Sequence, residues 1–137
     1  MKARITLMVA MMAIALSAAA MPFSEAKNKA LFLSDKMAYE LRLSPSQYEA
    51  LYKINLDYLL NIDDESDVLG FQWENRNRDL KQVLSDAQFD TFKACEWFFH
   101  PFACSDDGWT LSVYDHYPDG KLFMDEPAVY LSYHGAE

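Results

Sequence analysis

The sequence predicts an α+β domain: four helices in the N-terminal part, followed by a small antiparallel β-meander packed on them. Three observations lead there. Leu43-Ser44-Pro45-Ser46-Gln47-Tyr48 returns as Leu84-Ser85-Asp86-Ala87-Gln88-Phe89, and each copy opens a run with helical apolar spacing. After Asp106-Asp107-Gly108 the apolar period drops from about 3.6 to 2. Pro101 and the turn-forming Pro118-Asp119-Gly120 punctuate the region between the two regimes and inside the second one.

The N-terminus reads as an export signal, with Lys2 and Arg4 ahead of an apolar run from Ile5 to Leu16 that is too short for a permanent membrane span. Ala18-Ala19-Ala20 offers a cleavage site, so residues 1–20 are expected to be removed, with cleavage as late as residue 26 as the alternative. No Cys stands at either site to carry a lipid. What remains, 21–137, is long enough for one domain with a modest core. Losing Lys2 and Arg4 takes the net charge from −9 to −11, which argues against nucleic acid or an anionic membrane face as partner. None of the 3 Trp, 8 Tyr and 9 Phe lies in the leader.

Helix one is expected over 26–41, with Ala30, Leu33, Met37 and Leu41 on one face and Lys27, Lys36 and Glu40 off it. Helix two follows from Pro45 to about Ile62 after the short Arg42-Leu43-Ser44 corner, burying Tyr48, Leu51, Tyr52, Leu56 and Leu59. In both repeats Ser suits the N-cap and Gln the third helical position, a capping box in which Ser44 pairs with Gln47 and Ser85 with Gln88. The preceding Leu and the following aromatic residue complete a hydrophobic staple. Capping accounts for these residues without a ligand.

Asp63, Glu65, Asp67 and Glu74 fall on positions one, three, five and twelve of a calcium-loop template, but Val68 stands where the loop needs Gly. The acidic loop is therefore read as a helix-favouring cluster. Helix three is expected from about Asp67 to Val83 on a stripe of Leu69, Trp73, Leu80 and Val83, with Arg76 and Arg78 in solvated ion pairs on its flank. Helix four begins at Asp86, uses Phe89, Phe92, Cys95 and Phe99, and stops at Pro101.

The two Leu-Ser-x-x-Gln copies, each at a helix start in a small exported chain, and the Arg-rich run from Trp73 to Leu80 resemble the LTXXQ-motif family of Spy/CpxP-like periplasmic proteins. The likeness covers about residues 27–99 and implies a helical, stress-chaperone-like part. The run from Ala30 to Leu41 also resembles small exported proteins of unknown function from Gram-negative anaerobes, which implies no activity.

Trp97, Phe98, Phe99 and Phe102 have more aromatic bulk than one helix stripe can hide, so they are either the joint to the strands or an exposed interaction patch. Cys95 and Cys104 bracket them and are expected to form a disulfide in an oxidising compartment. The meander is read from Trp109, Leu111 and Val113, then Leu122–Met124 and Val129–Tyr133, giving a strand-rich part over 109–134. His116 and His134 share its outer face and with Asp115 are the weak candidates for a metal; neither metal nor cofactor is expected.

No nucleophile elbow, phosphate-binding glycine loop or zinc-protease helix is present, so the chain is not expected to be an enzyme. Two functions remain: a periplasmic or secreted interaction module for an unknown protein or glycan of the envelope, and a holdase chaperone that shields apolar client segments. Exposure of the aromatic segment separates them. The oligomeric state is not legible in the sequence.

Overall fold

The computed structural model describes residues 21–106 and 108–130; the leader at 1–20 and residues 131–137, which include the expected strand's Leu131 and Tyr133 and also His134, lie outside the described residues. Helix α1 (Phe23–Leu41) is the central element. Ala26, Ala30, Leu33, Met37 and Ala38 are essentially inaccessible, and residues 30–38 are buried on every side of the helix. Such a helix lies inside a protein and not on its surface. Arg42 ends it in the left-handed region (φ 56°, ψ 56°), and its N–H and that of Leu43 both bond the Ala38 carbonyl. The chain thereby reverses, and α2 (Pro45–Leu60) packs back along α1 through Leu51, Tyr52, Leu56 and Leu59.

A 3₁₀ turn (Glu65–Asp67) leads to α3 (Phe71–Val83) and α4 (Asp86–Ala94). Gly70 opens α3, and a Cβ there would stand 2.6 Å from the Ser66 carbonyl oxygen, so the turn requires glycine. Leu69, expected in the apolar stripe of helix three, is 53% exposed because the 3₁₀ turn starts α3 later than the periodicity implies.

The expected fourth helix is broken. Cys95 is extended (φ −93°, ψ 107°), and a short α5 (Glu96–Phe99) restarts in a new direction, with the amides of Phe98 and Phe99 bonding back to the Cys95 carbonyl. One continuous helix would fan Trp97, Phe98 and Phe99 over successive 100° steps; the break sends Phe98 into the core and Phe99 onto Trp73 and Phe92.

The α+β class stands, and among the described residues the sheet is one hairpin where a three-stranded meander is expected. β1 (Phe102–Ser105) pairs antiparallel with β2 (Gly108–Leu111), Phe102 opposite Leu111 and Cys104 opposite Trp109. Gly108 closes the turn at φ 102°, a value that disfavours any side chain. Val113 lies in the short helix α6 (Val113–His116), residues 122–124 are irregular and 128–130 are helical. The reason is where the backbone donors go. The N–H groups of Phe123 and Met124 bond the buried carboxylate of Asp35 on α1, which takes these two amides out of any strand ladder.

Candidate functional site

The repeated motif forms two capping boxes, as the sequence predicts. Ser44 Oγ accepts from the Gln47 N–H at 3.2 Å and Gln47 Oε1 from the Ser44 N–H at 2.9 Å; Ser85 and Gln88 do the same at 3.1 and 2.9 Å. The structure adds a contact that capping alone does not require. The two glutamines meet, Gln47 Nε2 donating to Gln88 Oε1 at 2.8 Å. Each also reaches the chain just ahead of the other copy: Gln47 donates to the Val83 carbonyl at 3.1 Å and Gln88 to the Leu41 carbonyl at 3.2 Å. The motif is thus a clasp between the starts of α2 and α4, with the oxygen and the nitrogen of both side-chain amides engaged in it.

The aromatic segment forms the joint. Phe98 and Phe102 are buried at 1% and 6% exposure, and Trp97 and Phe99 are half-buried. Trp97 stacks on His116 of α6 at 3.8 Å, and Trp73 Nε1 donates to the Phe99 carbonyl at 2.6 Å. The exposed large apolar residues lie elsewhere, at Phe23, Tyr39, Leu69, Phe71, Tyr114, Leu122 and Phe123.

No disulfide joins Cys95 to Cys104. Cys95 sits half-buried at the break between α4 and α5, whereas Cys104 lies on the exposed side of the hairpin, beyond Pro101. Burial raises the Cys95 thiol above its ordinary pKa, opposite to what an activated thiolate needs.

Arg76 departs from its expected place in a solvated ion pair. It is buried at 2% exposure, donating to Asn55 Oδ1 and to the Phe98 carbonyl, each at 2.9 Å, between the rings of Tyr58 and Phe92. Burial without a carboxylate pulls its pKa down to about 10. It therefore ties α2 and α3 to the aromatic joint.

The acidic loop caps itself. Asp64 Oδ1 accepts from the Ser66 N–H at 2.9 Å and Asp67 Oδ2 from the Asp63 N–H at 2.9 Å; the Ser66 hydrogen bonds lower the Asp64 pKa. Among the described residues no three His, Cys, Asp or Glu side chains are grouped to hold a metal ion.

Sequence reasoning missed a strap and the groove beside it. Asp35 and Lys36, both at 0% exposure, form an ion pair of 2.9 Å inside α1. Lys36 also donates to the Lys121 carbonyl, and its ammonium lies 3.6 Å from the Phe123 ring centroid and 4.5 Å from that of Phe32. With the Asp35 bonds to Phe123 and Met124, this pins 121–124 across α1. Lys27, likewise expected off the apolar face, is buried at 1% exposure. The sequence signal was a charged pair set inside the run from Ala30 to Ala38, too apolar to have a wet side.

Where the strap passes the α1–α2 corner, Leu43, Pro45, Tyr48 and Glu49 face Met124–Ala128 across an open-sided groove of about 370 Å³. Tyr48 is 4% exposed and its hydroxyl has no hydrogen-bond partner. Burial, reinforced by Asp35, Glu126 and Asp125, raises its pKa well above the ordinary phenol value. This groove is lined by both apolar and acidic side chains and is large enough for a ligand; a cleft of about 10 Å³ beside Arg76 has room for a water molecule at most. No helix among the described residues is long and apolar enough to cross a membrane. No protein-family model, curated protein or solved structure matches the chain.

Proposed function

We propose that the chain is an exported, non-enzymatic interaction module of the envelope that recognises a specific partner, and that it is not a holdase. The observation that supports this reading is the burial of the aromatic segment. Phe92, Phe98 and Phe102 lie inside, and Trp97 and Phe99 are covered by His116, Trp73 and Phe92. A holdase surface needs contiguous exposed apolar area. Here Tyr114 is stacked on Phe32, and Tyr39 lies tilted against Phe123 at 4.7 Å between ring centroids, so part of the exposed apolar area is taken up by contacts within the chain. The chemistry that would signal catalysis is likewise engaged in structure: Cys95 is shielded, the acidic loop caps itself and the glutamines clasp one another.

The test is suppression of light scattering from a heat-aggregating model enzyme by the mature protein at increasing molar ratio. The module reading expects no protection at any ratio. Dose-dependent protection overturns it and reinstates the chaperone function that the LTXXQ resemblance implies. Export is tested on the same preparation, where the intact mass of the extracytoplasmic product should lack residues 1–20.

A further inference from the structure

The N-terminal end of α1 carries an inference that rests on the exported-module reading and deepens it to where, and when, the leader is removed. The sequence offers two cleavage sites, after Ala20 and after Ala26. They stand differently in the packed chain. Ala26 lies inside α1, is fully buried, and donates its N–H to the Pro22 carbonyl at 2.9 Å. A cut behind it would strip the central helix of its first turn, remove Met21 from the core, and start the chain at Lys27. That side chain is itself buried, with its ammonium 5.1 Å from the Tyr130 ring centroid. A new α-ammonium there would set a second positive charge beside a buried one.

A cut after Ala20 spares Met21 and all of α1, yet folding does not leave that bond free. Met21, which supplies its amide nitrogen, is 9% exposed and belongs to the hydrophobic core. Pro22 follows as the N-cap residue of α1, at φ −56° and ψ 147°, with its carbonyl held by the Ala26 amide. A peptidase takes the residues on both sides of the bond into its cleft in extended form. Met21 must therefore leave the core before the bond can be reached, and the population of that open form limits the rate. The elements that close the core over α1 come later in the chain: α2, α4 and the strap at 121–124.

We infer that the Ala20–Met21 peptide bond is the processing site and that folding closes it, so the chain is exported unfolded and cut before α1 is packed. As the C–N bond breaks, water gives its hydroxyl to the Ala20 carbonyl carbon and a proton to the Met21 nitrogen, so the step needs no other reactant. Returning one methionine side chain to water is enough to slow the cut about tenfold or more.

The experiment incubates the full 137-residue precursor with purified signal peptidase in detergent micelles and follows the product masses with time. The wild-type precursor, folded by its cooperative melting, is compared with Leu33→Asp/Leu51→Asp, which sets two charges at fully buried positions and is unfolded by circular dichroism. Both should be cut between Ala20 and Met21, the folded one about tenfold or more slowly. Met21→Ser should restore most of that rate in the folded precursor and leave the rate of the unfolded one unchanged. Equal rates for the two forms, a product that begins at Lys27, no cut in either form, or a folded precursor indifferent to Met21→Ser overturns the inference. Failure of the reading it rests on is distinguishable: a holdase shows as client protection in the scattering assay, and a chain that is not exported stays uncut inside the cell, whatever purified peptidase does to the precursor.

Discussion

Replacing Gln47 by alanine removes three short hydrogen bonds at once, the one its Oε1 accepts from the Ser44 N–H at 2.9 Å and those its Nε2 donates to Val83 at 3.1 Å and to Gln88 at 2.8 Å, together with a long one its Oε1 accepts from Gln88 Nε2 at 3.5 Å. Gln88→Ala removes its bonds to the Ser85 N–H at 2.9 Å and the Leu41 carbonyl at 3.2 Å, together with the same shared contact. A net 0.5–1.5 kcal/mol per bond, at positions that are half-buried, gives a cost of about 2 kcal/mol for each single variant. The shared bond can be lost only once. The double variant should therefore cost about 1 kcal/mol less than the sum of the singles. Urea unfolding of the four proteins, followed by far-ultraviolet circular dichroism and fitted by linear extrapolation, measures the coupling. Additivity within about 0.3 kcal/mol would refute the clasp and leave two independent caps, each worth about 1 kcal/mol through Ser44 or Ser85.

Three further outcomes follow from buried or strained groups. Asp35→Ala leaves Lys36 buried without its counter-ion and strips two backbone N–H groups of their acceptor, so it should cost about 3–5 kcal/mol in urea unfolding and expose the strap at 121–124 to proteolysis. Arg42→Gly relieves the left-handed φ of 56° and should raise stability by about 0.5–1 kcal/mol, read as a higher melting temperature. Alkaline titration should destabilise the fold from about pH 10 upwards. Tyr48 and Tyr58 stay protonated when folded but ionise when unfolded, so the folded state binds more protons and each loses about 1 kcal/mol of stability per pH unit; Arg76, with its folded pKa lowered to about 10, works in the opposite direction and cancels only one of the two. Tyr48→Phe should flatten that decline, and a slope unchanged by it would contradict the assignment.

How much the sequence disclosed depended on whether a residue's role was local. The capping boxes were legible because Ser, Gln and their spacing act within one helical turn, and the reversal at Arg42-Leu43-Ser44 was legible because so short a link allows little else. The clasp was not, since Gln47 and Gln88 are 41 residues apart and only tertiary packing brings them together. Alternation at 109–113 did find β2, but the apolar residues at 122–124 resembled a strand while their amides were claimed by Asp35, 88 residues away. Helical periodicity placed Lys27, Lys36 and Arg76 on wet faces. That inference fails at Lys36 because residues 30–38 of α1 are covered on every side, and at Lys27 and Arg76 because other elements of the chain reach over the cation with an aromatic ring or a carbonyl. The groove was hidden for the same reason, because Tyr48 was visible as a staple residue while the strap facing it was read as sheet.

The central claim is that the aromatic segment is core and joint, leaving recognition to another surface. Trp73, Trp97 and Trp109, the three tryptophans of the chain, are all half-buried in or beside that joint, so acrylamide quenching of tryptophan fluorescence in the native mature protein tests it most directly. The account predicts a blue-shifted emission and a quenching constant well below that of the urea-unfolded chain. A red-shifted native emission, quenched nearly as readily as the unfolded protein, would contradict it.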